Sequence, residues 1–248
     1  MYRFKPIALN QNTCEKLDIL KFIKFAYKCK FDGIELRFEK IKSALSEKVE
    51  IRDILDVLER YNLKVNSICP LEDFSLSSDS VYKSKVLKIF EQMISYCNKL
   101  GTNLVVVQPS FIEKSTDGNS IPKWRIIKRT ANKLEDLCKK AYREDVNIGF
   151  EFIVDDLCSI SNLSDAKEVV KSLEHQENLG YIIETLYFAM FNVDFNQLYD
   201  IKDFLYLIKL TDYLEHSESN PKRILPSEGN FNFSQFYNYL RKIKYNKI

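Results

Sequence analysis

Asn147-Ile148-Gly149-Phe150-Glu151-Phe152-Ile153 is a run of strand length, apolar along its centre except for one carboxylate. Two later runs repeat the design: Leu179 to Thr185 carries Glu184, and Phe204 to Asp212 carries Lys209 and Asp212. Short apolar runs that alternate with helical patterns read as parallel strands, and ligands of parallel sheets sit at the carboxyl ends of the strands. That is where these charges fall. A buried charge is costly unless paired, so two carboxylates and an ammonium converging on one pocket mark a site, or a salt-bridged relic of one.

Working outward, Asn103 to Gln108 reads as a further strand, because Leu104, Val105, Val106 and Val107 form a continuous β-branched and aliphatic run of the fully buried kind. Met1 to Leu9, Gly33 to Phe38 and Leu63 to Cys69 complete seven strands. Helices are expected between them. The first opens at Thr13 with Leu17, Leu20, Ile23 and Ala26 on one face, and others span Val49 to Tyr61, Val81 to Leu100, Lys123 to Arg143 and Ser164 to Leu173. Asn196 to Lys202 and Phe233 to Ile243, the latter capped by Asn232, follow.

No linker rich in Gly, Ser or Pro divides the chain, so residues 1–248 are expected to form one domain. The alternation and the length predict an α/β fold, a TIM-type (β/α)8 barrel with an incomplete or missing last strand. A loop with Asp117, Gly118, Asn119 and Pro122 follows strand four and is a candidate lid.

Lys plus Arg number 37 against 35 Asp plus Glu, a formal charge of +2, so no overall field favours nucleic acid. Neither a signal peptide nor a membrane-spanning run is visible, and a cytoplasmic location is expected. The six cysteines are scattered singly, without metal or redox spacing, and read as reduced structural residues; Cys69 alone ends a strand where a ligand reaches. Among 31 Phe and Tyr (17 and 14) and one Trp, Trp124 follows the candidate lid and is the aromatic placed to meet a sugar ring.

The order Phe31-Asp32-Gly33-Ile34-Glu35-Leu36-Arg37, Leu100-Gly101-Thr102-Asn103, Gly149-Phe150-Glu151, Ile183-Glu184-Thr185, Ile208-Lys209-Leu210-Thr211-Asp212 and Leu225-Pro226-Ser227-Glu228-Gly229-Asn230-Phe231 resembles the xylose-isomerase-like TIM-barrel family, over nearly the whole chain. That family includes sugar isomerases and epimerases, inosose dehydratases and endonuclease IV. The resemblance implies a divalent metal (Mn, Mg or Zn) held by a Glu on strand five, an Asp on strand six, a His on strand seven and a Glu on strand eight. Glu151 then matches the first ligand and Glu184 stands at the Asp position.

The remaining positions depart from the pattern. Tyr187 stands where a substrate-assisting His is implied, and Lys209 where the metal-binding His is implied. The chain stops at Ile248, where the family enters strand eight, so the last Glu is not found. A protonated lysine has no lone pair to offer a metal, and two carboxylates alone hold one weakly. An ammonium between Glu151 and Glu184 neutralises them instead, so the expectation is a salt-bridged cluster with no metal or a weakly bound one. Only two histidines, His175 and His216, are present, which excludes the zinc cluster of an abasic-site nuclease.

The expected activity is isomerisation or epimerisation of a small keto sugar or polyol by proton transfer beside a carbonyl, with Glu151 and Lys209 as the catalytic pair. Glu35 and Arg37 at the end of strand two bind substrate hydroxyls or form a surface pair. Gln108 donates to a sugar oxygen or caps a loop. Asp212, ending its strand, also reaches the pocket; Tyr187 takes the substrate-assisting position by resemblance, and Arg223 and Glu228 match a loop position that by resemblance faces the pocket, or are solvated. The alternative is a non-catalytic barrel that binds a small polar ligand or a protein. The expected partner is a small sugar-like molecule, not nucleic acid or membrane, and an unpaired barrel edge allows a homodimer.

Overall fold

The structure is a computed structural model in which residues 6–112, 121–191, 193–214 and 223–245 are described. The lid residues Asp117, Gly118 and Asn119, and His216, lie outside them. Seven strands run in chain order: β1 Ala8–Asn10, β2 Gly33–Arg37, β3 Lys64–Leu71, β4 Leu104–Val107, β5 Asn147–Glu151, β6 Leu179–Glu184 and β7 Leu205–Lys209. Each pairs in parallel with its sequence neighbour, so the spatial order is β1 to β7 without a crossing. In a flat sheet β2 and β7 would stand about 24 Å apart at the usual strand spacing. Yet Lys209 Nζ on β7 lies 3.4 Å from Glu35 on β2. The sheet is therefore curled into a TIM barrel, incomplete among the described residues because no strand pairs with the free edges of β1 and β7.

Helices cover the outside: α1 Ile19–Lys28, α2 Phe38–Ser46, α3 Ile51–Arg60, α4 Asp79–Val81, α5 Leu87–Leu100, α6 Lys123–Tyr142, α7 Leu163–Lys171, α8 Leu186–Phe191 and α9 Phe233–Lys242. In α1 the apolar positions Ile19, Phe22, Ile23 and Ala26 fall on one face and are buried against the sheet. It starts later than expected. Asp18, not Thr13, caps it by accepting from the Lys21 N–H at 2.9 Å, because Asn10 first winds Gln11–Cys14 into a 3₁₀ turn. Helices α2 and α8 were not expected; their apolar stripes, such as Phe38, Ile41 and Ala44, are too short to stand out from a strand end. Helix α5 stops at Gly101, whose φ of 70° suits a residue without a Cβ.

The main core lies between sheet and helices and includes the fully buried Phe22, Phe74, Phe90 and Phe150. A second, small cluster of Cys69, Val106, Ile182 and Leu207 fills the barrel interior. Gly149 makes room for it, since a Cβ there would come within 2.6 Å of the Ile182 side chain. This plug is the floor on which the polar site rests.

Candidate functional site

Side chains alternate along a strand, so the residues two positions beyond the interior plug also point inward. From Cys69 the set steps back to Ser67; from Val106 it steps on to Gln108, from Ile182 to Glu184 and from Leu207 to Lys209. Glu35 on β2 and Glu151 at the end of β5 join them. Glu35, Ser67, Gln108, Glu151, Glu184, Lys209, Thr211, Arg223 and Glu228 line one cavity of about 940 Å³ at the carboxyl ends of the strands.

Two ion-paired groups divide the polar wall. In the first, Lys209 Nζ lies 2.8 Å from Glu151 Oε2 and 3.4 Å from Glu35 Oε1. Glu35 also accepts from Asn10 Nδ2 and from Ser67 Oγ, the latter at 2.7 Å. Glu151 Oε2 accepts from Gln108 Nε2 at 2.7 Å, whereas no described residue donates to Glu151 Oε1. In the second group, Arg223 grips Glu184 with two N–H donors at 2.8 and 3.0 Å, and Thr211 Oγ1 donates to the same carboxylate at 2.7 Å.

Lys209 thus sits between Glu151 and Glu35, not between Glu151 and Glu184 as expected. Glu35 was expected at the site as a substrate contact, but its pairing with Lys209 was not, because the barrel brings β2 to β7 across the lumen, a contact that strand order alone does not reveal. Asn10, Ser67 and Thr211 were missed for a similar reason: single short polar residues at strand ends carry no sequence signal until the register aligns them.

Electrostatics follow from this packing. Burial alone would lower the Lys209 amine, but the charges of Glu151 and Glu35 outweigh it and hold the ammonium above its ordinary range. Burial pushes the Glu151 carboxyl up, with Glu35 adding to the rise and Lys209 and Gln108 opposing it. Cys69, beneath them, is fully buried, and burial with the nearby Glu35 carboxylate drives its thiol well up. It is an inert neutral thiol.

Four residues expected to touch a ligand are elsewhere. Asp212 is fully buried and its carboxylate accepts four backbone N–H groups, from Tyr213, Ser227, Gly229 and Phe231, at 2.9 to 3.0 Å. It folds the loop that carries Arg223 and Glu228 to the cavity. Tyr187 falls on α8, one turn past the strand, and is 4% exposed in an aromatic cluster with Phe152, Phe188 and Phe191. Arg37 turns from Glu35 to Asn12 Oδ1 at 2.7 Å and is absent from the cavity wall. Trp124 is 60% exposed with the Arg125 guanidinium over its ring, away from the lining residues. His175 is exposed beside Glu135.

The donor set does not fit a divalent metal. Glu184 is occupied by Arg223 and Thr211, Glu151 by Lys209 and Gln108, and among the described residues no three His, Cys, Asp or Glu side chains are grouped to hold an ion.

The chain is 23% identical over 241 residues to an inosose isomerase of Bacillus velezensis, covering 95% of this chain and 83% of that protein. Among solved structures, the IOLI protein with a bound zinc atom superposes with a TM-score of 0.84 at 20% identity, covering 99% of this chain and 86% of that one. The 3-keto-D-glucoside 4-epimerase YcjR of E. coli gives 0.79 at 16% identity, covering 98% and 90%. The model of the xylose isomerase-like TIM barrel matches residues 23–248. With seven parallel staves, a cavity that gathers charged side chains at their carboxyl ends and that match across most of its length, the chain belongs to the xylose isomerase-like TIM barrel family.

Proposed function

We propose that the protein is a sugar isomerase or epimerase-like enzyme that moves a proton at a carbon beside a carbonyl of a small keto sugar or polyol. The observation that carries this reading is the asymmetry of Glu151: Oε2 is fixed by Lys209 and Gln108, while Oε1 accepts nothing from the described residues and Glu151 lines the cavity. One oxygen is held and the other is available as a base. Burial has raised its carboxyl, which brings a general base closer to the working pH. Naming of related proteins as an inosose isomerase and a 3-keto-D-glucoside 4-epimerase supports the same chemistry.

In the step, Glu151 Oε1 takes the proton from the carbon adjacent to the carbonyl, and the electron pair of that C–H bond moves into an enolate. A free N–H of the Lys209 ammonium faces the developing oxyanion, as a fixed donor in a site partly closed to water. Once the adjacent hydroxyl passes its proton to the enolate oxygen, return of the proton from Glu151 to the former carbonyl carbon gives the isomer; protonation of the original carbon from its opposite face by water in the cavity, whose hydroxide takes up the proton held by Glu151, gives the epimer. Arg223, Glu184, Glu228 and Gln108 supply donors and acceptors for hydroxyls, and Tyr187 leaves the cavity open by packing into the core.

The test is solvent-deuterium incorporation, followed by NMR, over a panel of ketoses and inososes. At least one substrate exchanges its carbon-bound proton, and Glu151→Gln slows that exchange by about 10²- to 10⁴-fold. Exchange is lost on acidification through the raised Glu151 carboxyl, because the protonated acid cannot accept. No exchange with any member of the panel overturns the reading.

A further inference from the structure

We infer that Lys209 is the site's resident cation: its ammonium takes the electrostatic place that members of the family give to a divalent ion, and the site works without one. The carboxylates available to an ion are each engaged by a positive group of the chain itself. Glu151 and Glu35 flank Lys209 Nζ at 2.8 and 3.4 Å, and Glu184 lies in the two-donor grip of Arg223.

The chain's own cations offset all but one of the site's negative charges. Glu35, Glu151 and Glu184 bring three negative charges, Lys209 and Arg223 two positive ones, and Glu35 is further held by Asn10 and Ser67. An incoming divalent ion would have to displace an ammonium whose side chain is only 18% exposed and lies beside the same oxygen atoms. An ion that did not displace it would face that ammonium at contact distance, a repulsion that the low-dielectric barrel interior screens poorly. Among the described residues no imidazole stands in for the one that Lys209 replaces, since His175 is exposed beside Glu135, and the nearby Asn10, Ser67, Gln108 and Thr211 already donate to the carboxylates.

An ammonium also differs from a metal in what it does. It donates hydrogen bonds along fixed N–H directions and binds one oxygen at a time, whereas a divalent ion gathers two substrate oxygens at once. Ion binding and thermal stability report on the cation of the site apart from turnover, so they can fail independently of the proposed isomerisation.

The experiment uses the full chain, stripped with chelator, titrated by calorimetry with Mn²⁺, Mg²⁺ and Zn²⁺ and melted with each ion at about 1 mM. An ion bound with a Kd of about 10 μM would raise Tm by about 5 to 10 °C under those conditions. The expected result is no saturable binding and no such rise. Lys209→Ala removes the ammonium and leaves two buried carboxylates facing each other; its Tm falls, and a divalent ion or ethylammonium restores part of the loss while wild type does not respond. Stoichiometric ion binding by wild type overturns the inference. So does a Lys209→Ala protein that melts like wild type, or one that falls and responds to neither additive. If that variant does not fold, the wild-type titration alone decides.

Discussion

At the scale of single residues, the same charged side chain type serves two opposite purposes in this molecule. Glu151 keeps an oxygen unbonded at a cavity, whereas Asp212 spends its whole carboxylate on four backbone N–H groups. For Asp212, burial alone would raise the carboxyl, but the four donors together lower it. A lowered carboxyl contributes stability that is present above the ordinary Asp range and is lost as pH falls through its folded value. Asp212→Asn is therefore expected to cost about 2 to 4 kcal/mol at pH 7 by urea unfolding, with the gap to wild type shrinking below about pH 4. A gap that does not change with pH would show that the charge is not what holds the loop. Both residues were read in the sequence as facing the pocket; only the folded loop separates the holder from the base.

At the scale of elements, termini were harder to read than the elements themselves. Strand β4 was legible because four consecutive aliphatic residues have no other good use, and the structure pairs Leu104 to Val107 on both sides. Helix α1 was legible by its face but not by its start, since Thr13 and Asp18 are both sound caps in isolation and the 3₁₀ turn decided between them. The end of α5 is set by Gly101 alone: a Cβ there would touch nothing within 4 Å, so a substitution is penalised only through its positive φ. Gly101→Ala is expected to lower stability by about 1 kcal/mol, measured by thermal melting, without change at the site. A neutral effect would mean that the backbone relaxes out of the left-handed region.

At the scale of the whole molecule, the barrel does the assembling. Curling brings β2 and β7 together across the lumen, so that Glu35 and Lys209 meet although 174 positions separate them in sequence (209 less 35). Small residues at the inner wall permit this curvature. Gly180 packs so closely that a Cβ would fall 2.4 Å from the Phe204 carbonyl oxygen and 2.7 Å from the Tyr206 ring. Gly180→Val is expected to part β6 from β7, lower the melting temperature by more than 5 °C, about the cost of a few kcal/mol at this size, and abolish ligand binding through loss of Lys209's position. An unchanged melt would show that β7 can shift without disturbing the sheet.

The sequence by itself determined the fold class and most strands, because the periods of burial in strand and helix are local properties written residue by residue. It also named Glu35, Glu151, Lys209, Glu184 and Gln108, since a charged or polar residue near the end of a buried strand has few other reasons to be there, whereas Arg223 and Glu228 were reached through the family resemblance. Only the tertiary structure decided which carboxylate pairs with which cation. That choice depends on distances across the barrel of a few ångströms between strands remote in the chain, and no pattern of neighbours along a sequence encodes them.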